Sequence, residues 1–121
     1  MSEEKLNDSI KLLKLAYSSY KKTPEDKLAG AALAKAFEIS FEYLWKHFKQ
    51  LGTAEGYEIY SPRDAIKAAL SMKIIQNAEQ WGEYLSHRNL SVHDYIGVDS
   101  KETPLIVKNF LRDLDQLKIA N

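Results

Sequence analysis

Apolar residues recur along this chain at three- and four-residue steps almost throughout, the spacing that gathers side chains onto one face of a helix. Leu6, Ile10, Leu13, Tyr17 and Tyr20 form the first such face. They predict a helix over roughly Glu3 to Lys21, with Lys11, Lys14 and Ser18 on the opposite side. Leu33, Phe37, Phe41, Leu44, Phe48 and Leu51 form the second and longest face. That helix reads as the central element, stopping at Gly52, with Lys46, His47 and Lys49 complementing the negative end of its dipole. Runs of alternating β-branched residues bounded by turn residues are nearly absent, so strands are not predicted.

The helix starts share a grammar. Thr23-Pro24-Glu25-Asp26 and Ser61-Pro62-Arg63-Asp64 each offer a hydroxyl cap, a proline that needs no N–H in the first turn, and an acid that reaches back. The second opens a short helix from Pro62 to about Met72, after a polar connection from Thr53 to Tyr60. A fourth helix is predicted from near Asn77, whose amide caps with Gln80 at the third helical position. Its buried face is Ala78, Trp81, Leu85 and, at its end, Val92. Asp99 or Ser100 starts the fifth, striped by Ile106, Phe110, Leu114 and Leu117, with Pro104 tolerable only in the first turn. The expected fold is all-α: one domain over residues 1–121, an antiparallel bundle of four main helices plus a short one.

Composition narrows the chemistry. The chain has no cysteine, which excludes a disulfide scaffold and a thiolate zinc site. Nothing in it calls for a cofactor. Met1 to Asp8 carries Glu3, Glu4 and Lys5 without an apolar stretch, and no later segment is long and uncharged enough to span a bilayer. The expectation is a soluble cytoplasmic protein that makes no membrane contact. Lysine plus arginine equals aspartate plus glutamate at 17 each, so long-range attraction to nucleic acid is not built in. Any RNA chemistry needs a local basic site, and zero net charge permits self-association.

Arg88-Asn89-Leu90-Ser91-Val92-His93-Asp94-Tyr95 supplies the candidate chemistry, placed where the helical pattern runs out. Arginine offers a permanently charged fork for phosphate oxygens, and histidine titrates near neutral pH. On a regular helix positions five apart differ by about 140°, so Arg88 and His93 do not share a face, whereas Asn89 and His93 do. Convergence therefore requires either a loosened helix or groups from two chains. Asn89 is placed to hold the imidazole in one tautomer. Metal-independent RNA cleavage needs a base, an acid and positive charge on the phosphorane, and a two-fold dimer would supply two of each side chain. Against this, an arginine and a histidine near a helix end are often only dipole-compatible surface residues.

Three blocks in register carry a family resemblance: Phe37-Glu38-Ile39-Ser40-Phe41-Glu42-Tyr43-Leu44-Trp45-Lys46, Ser61-Pro62-Arg63-Asp64-Ala65-Ile66, and Glu79-Gln80-Trp81 leading into Arg88 to Tyr95. From about Leu28 to Tyr95 the chain resembles the HEPN family of HepT type, also described as nucleotidyltransferase substrate-binding proteins. The resemblance implies an all-helical homodimer working with a minimal nucleotidyltransferase. It further implies an endoribonuclease toxin of a toxin–antitoxin pair, with Arg88 and His93 as catalytic residues across the dimer, no metal, and Tyr95 as the acceptor of AMP from the partner. The alternative is a non-catalytic substrate-binding subunit. Leu70-Ser71-Met72-Lys73-Ile74-Ile75 departs from the family, replacing its glycine-containing turn.

Other residues admit blander readings. Glu79, Glu83 and His87 lie at four-residue steps, but the glutamate-to-histidine spacing of bundle di-iron sites is missing, and a solvated charged face is expected. Glu38, Glu42 and Lys46 read as helix surface, Glu42 pairing with Lys46. Phe37, Phe41, Trp45 and Phe48 could form a base-stacking platform, but their spacing favours core or dimer interface. Tyr43 and Trp45, off or at the edge of the stripe, point to a second buried surface such as a subunit contact. His47 reads as a dipole partner.

Overall fold

A computed structural model describes residues 2–93 and 101–117, the side chains of residue 2 and of 90–93 excepted. Its elements are α1 (Ser2–Lys22), α2 (Lys27–Ala54), α3 (Pro62–Ser71), α4 (Ala78–His93) and α5 (Glu102–Gln116), with no strand among the described residues. α2 is the central element and packs against each of the other four. α1 and α2 form an antiparallel hairpin, with the Tyr20 ring beside Gly30 near the connection and Glu3 within electrostatic reach of His47 at the far end.

The predicted apolar stripes become one core. Leu6, Leu13, Leu33, Phe37, Phe41, Leu44, Phe48 and Phe110 are all essentially inaccessible. Each large side chain of this kind contributes about 1.5–3 kcal/mol by leaving water. Phe37 and Phe110 meet edge to face at 5.1 Å, and Trp81 and Tyr84 at 5.0 Å, the offset geometry that ring quadrupoles favour. Leu51, by contrast, is 38% exposed. Ile106 and Leu117 only flank the core; Val107, one position from Ile106, is buried on α5 together with Phe110 and Leu114.

Several helix boundaries depart from expectation, each for a local reason. Asp26 caps α2 itself, accepting from Leu28 N at 2.9 Å. Thr23 belongs to the end of α1, where its hydroxyl donates to Ser19 O, and Pro24 sits in the turn before α2. The second start behaves as predicted: Ser61 Oγ accepts from Asp64 N at 3.1 Å, and Asp64 accepts in return from Tyr60 N at 3.0 Å.

α2 does not stop at Gly52. It runs to Ala54 and closes at Gly56, whose φ of 93° is left-handed, with Tyr57 N donating to Gly52 O and Gly56 N to Thr53 O. This paired closure satisfies the last carbonyls of the helix. Gly52 matters for closeness instead: a Cβ there would lie 2.5 Å from Ile59 Cδ1 and 3.3 Å from Ala68 Cβ. The departure after α3 is the same closure without glycine. Lys73 takes φ of 61°, with Ile74 N donating to Ala69 O and Lys73 N to Leu70 O. Ile75 then buries to seal the turn.

Asn77 caps α4 as predicted, accepting from Gln80 N at 3.1 Å. Ala78 is exposed rather than buried, and the core face of α4 is Trp81, Tyr84 and His87. The fifth start assigned to Asp99 or Ser100 and the buried Val92 lie outside the described residues or side chains. Pro104 does sit in the first turn of α5.

Candidate functional site

Arg88 leaves the outer turns of α4 and crosses to α2. Its Nη2 donates to Glu42 Oε2 at 2.6 Å, and its Nη1 donates to Asn89 Oδ1 at 3.0 Å. The other oxygen of Glu42 faces Lys46 Nζ at 3.8 Å. Two cations thus share one carboxylate, with the Arg88 side chain 20% exposed and that of Glu42 33% exposed. A short charge-assisted bond of this kind orients the guanidinium plane, while the partial exposure keeps the pair screened.

Glu42 therefore does more than pair along its own helix, the role its spacing suggested. It ties the candidate site to the central helix across 46 positions of sequence. The expected i,i+4 pair with Lys46 is also present, and Glu38 is paired with Lys35 at 3.7 Å. Asn89 Oδ1 accepts from Arg88, and its expected contact with the His93 imidazole lies outside the described side chains.

α4 is helical through His93, so the helix does not loosen between Arg88 and His93. Backbone positions 88 and 93 thus stand about 140° apart around one axis. The side chain of His93, and Tyr95 altogether, lie outside what the structure describes.

His87, the neighbour of Arg88, is buried at 4% exposure rather than solvated. Its Nε2 lies 3.0 Å from Thr103 Oγ1 on α5, and its ring meets Phe37 at 5.7 Å between centroids. Burial holds its pKa below the ordinary histidine value, with Glu102 opposing. Glu79 and Glu83 are exposed as expected. Among the described residues no group of three or more His, Asp or Glu is arranged to hold a metal ion.

His47 is likewise buried, with Nδ1 lacking a hydrogen-bond partner, and burial lowers its pKa while Glu3 opposes. A neutral imidazole is not the cationic dipole partner read from sequence. Its position on the stripe, between Leu44 and Phe48, was the missed signal. Phe37, Phe41 and Phe48 are core, and Tyr43 and Trp45 are half-buried against that same core. Tyr84 donates its hydroxyl to Asp113 of α5, and burial together with that carboxylate pushes its pKa up.

A groove of ≈ 880 Å³ runs between α3, α4 and α5, over Gly82 and beside Arg63, Lys67, His87, Asn89 and Leu105. Arg88 does not line it, so the Glu42–Arg88 pair forms a separate surface.

Residues 3–119 match the family model described as nucleotidyltransferase substrate binding protein like. The chain belongs to this family. No curated protein matches it. The match spans all five helices and so includes Glu42, Arg88 and His93. The family's name implies a nucleotidyltransferase partner. None of the helices among the described residues is long and apolar enough to cross a membrane.

Proposed function

We propose that this chain is the helical partner subunit of a nucleotidyltransferase and that it holds a phosphate-bearing ligand at Arg88. The Lys46–Glu42–Arg88 cluster carries this reading. Glu42 gathers two cations, Arg88 and Lys46, onto one surface of a chain of formal net charge +0. A guanidinium is a planar fork that matches phosphate oxygens, and the Arg88 side chain remains 20% exposed. Because Glu42 already restrains it, less side-chain entropy is lost on binding.

The test is titration of a short fluorescent RNA oligonucleotide against wild type and Arg88→Ala. The variant is expected to bind at least tenfold more weakly, about 1.4 kcal/mol, with a shallower salt dependence. Equal affinity and equal salt slope would remove Arg88 from the reading.

A second, more specific reading is the metal-independent endoribonuclease. It is favoured by the regular backbone of α4 through His93, which leaves convergence of Arg88 and His93 to two chains rather than one. In a two-fold homodimer one subunit's arginine would face the other's histidine, giving charge for the phosphorane and a group to move the 2′-hydroxyl proton. Cleavage of RNA in EDTA by wild type, lost in Arg88→Ala/His93→Ala, is the expected result. Equally slow degradation by both proteins leaves the non-catalytic subunit. AMP on Tyr95, formed only with partner and ATP and seen as a mass shift, would place a bulky anion beside the site and repel RNA.

A further inference from the structure

His87 and Arg88 are consecutive on α4 yet are held by different helices. His87 is joined to Thr103 on the first turn of α5 at 3.0 Å, with 4% and 3% exposure respectively. Its ring stands edge-on to Phe37 of α2. Arg88 then reaches Glu42, also on α2, at 2.6 Å.

Helix geometry makes these anchors interdependent. Successive residues are about 100° apart around the axis, so fixing the azimuth at 87 fixes it at 88. A side-chain tip lies roughly 6 Å from the axis, and a slip of about 20° carries it about 2 Å. That displacement exceeds the tolerance of a hydrogen bond, which weakens beyond ~3.2 Å. Core packing sets the rotation of α4, and a directional hydrogen bond between buried groups at position 87 sharpens it immediately beside Arg88. A residue wanted only for volume at position 87 would be better apolar, since a buried imidazole is costly unless it is bonded.

We infer that the His87–Thr103 bridge positions Arg88, with His87 the positioning residue and Thr103 its anchor on α5. This deepens the reading of Arg88 as the ligand-binding cation and rests on it. The bridge also joins the last two turns of α4 to the start of α5, the two helix ends that flank residues 94–100.

Thr103→Val keeps the shape and removes the hydroxyl; Thr103→Ser keeps the hydroxyl. The side-chain N–H signals of Arg88, assigned by their loss in Arg88→Lys, report its bond to Glu42 in a ¹H–¹⁵N spectrum. They are expected to shift or broaden in Thr103→Val and to return in Thr103→Ser, while the Trp81 indole signal stays in place. RNA affinity should fall severalfold in Thr103→Val and recover in Thr103→Ser. Unchanged Arg88 signals in Thr103→Val overturn the inference. Should that variant not fold, His87→Phe, which fills the space without a polar atom, is judged by the same signals. If wild type itself binds no RNA, the reading of Arg88 fails, whereas the spectra still decide whether the bridge positions it.

Discussion

Arg88 on α4 and Glu42 on α2 are joined at 2.6 Å, which makes the central helix a wall of the candidate site. Lys46 shares that carboxylate through its other oxygen.

Removing the carboxylate should therefore separate charge from position. Glu42→Gln raises the local positive charge by one while weakening the restraint on Arg88. Nonspecific RNA retention at low salt is expected to rise, and stability to fall by about 1–2 kcal/mol, less than for a fully buried pair because both groups are partly exposed. Urea midpoints and salt-dependent binding measure the two effects. If retention drops as it does in Arg88→Ala, Glu42 is itself needed for binding.

Two glycines in helices should respond to alanine with opposite sign. At Gly82 a Cβ meets nothing within 4 Å, so Gly82→Ala is expected to stabilise by about 1 kcal/mol through helix propensity. At Gly52 the added methyl collides with Ile59 and Ala68. Overpacking costs about 1–3 kcal/mol, and Gly52→Ala should lower the urea midpoint despite the same gain in propensity.

Lys73 adopts the left-handed backbone that closes α3. A side chain there costs roughly 1–2 kcal/mol, part of which glycine returns through its freer unfolded state. Lys73→Gly is expected to raise stability by up to about 1 kcal/mol. A lowered melting temperature would mean that the lysine side chain makes a stabilising contact outweighing its backbone strain.

Tyr84, inside the core, and Asp113, at its edge, clamp α4 to α5. Tyr84→Phe keeps the ring in its cluster and removes the donor to a carboxylate, an expected loss of about 1.5–3 kcal/mol. The urea midpoint of Tyr84→Phe should fall accordingly; an unchanged midpoint would show that water replaces the phenol at Asp113 without cost.

Both buried histidines have folded-state pKa values below the ordinary one. The unfolded chain takes up protons at His47 and His87 near pH 6.5, before the folded chain does. Stability from this source is thus complete above about pH 6.5 and is lost as pH falls through the folded-state values. The urea midpoint should be lower at pH 5.5 than at pH 7.5, with a smaller difference in His47→Gln/His87→Gln. An identical difference in that variant would assign the effect to other groups.

The helical stripes were legible because a core face repeats locally. Leu6, Leu13, Phe37, Phe41, Phe48 and Phe110 are buried as their spacing implied. The caps at Ser61 and Asn77 were equally local, each a side chain bonding a backbone N–H three residues on. Gly52 misled because a buried glycine and a terminating glycine look alike until the facing residues are known. His47 and His87 misled for a related reason: their polarity suggested surface, and only the aromatic and aliphatic surroundings show that they are neutral core residues.

The order of helices, the family and the presence of an arginine, asparagine and histidine in one motif were determined by sequence, since each depends on residue type and near spacing. Tertiary structure decided that Arg88 answers to Glu42 and His87 to Thr103, partners 46 and 16 positions away. Those pairings are set by how α4 is rotated between α2 and α5, and that rotation is chosen by the packing of the whole core.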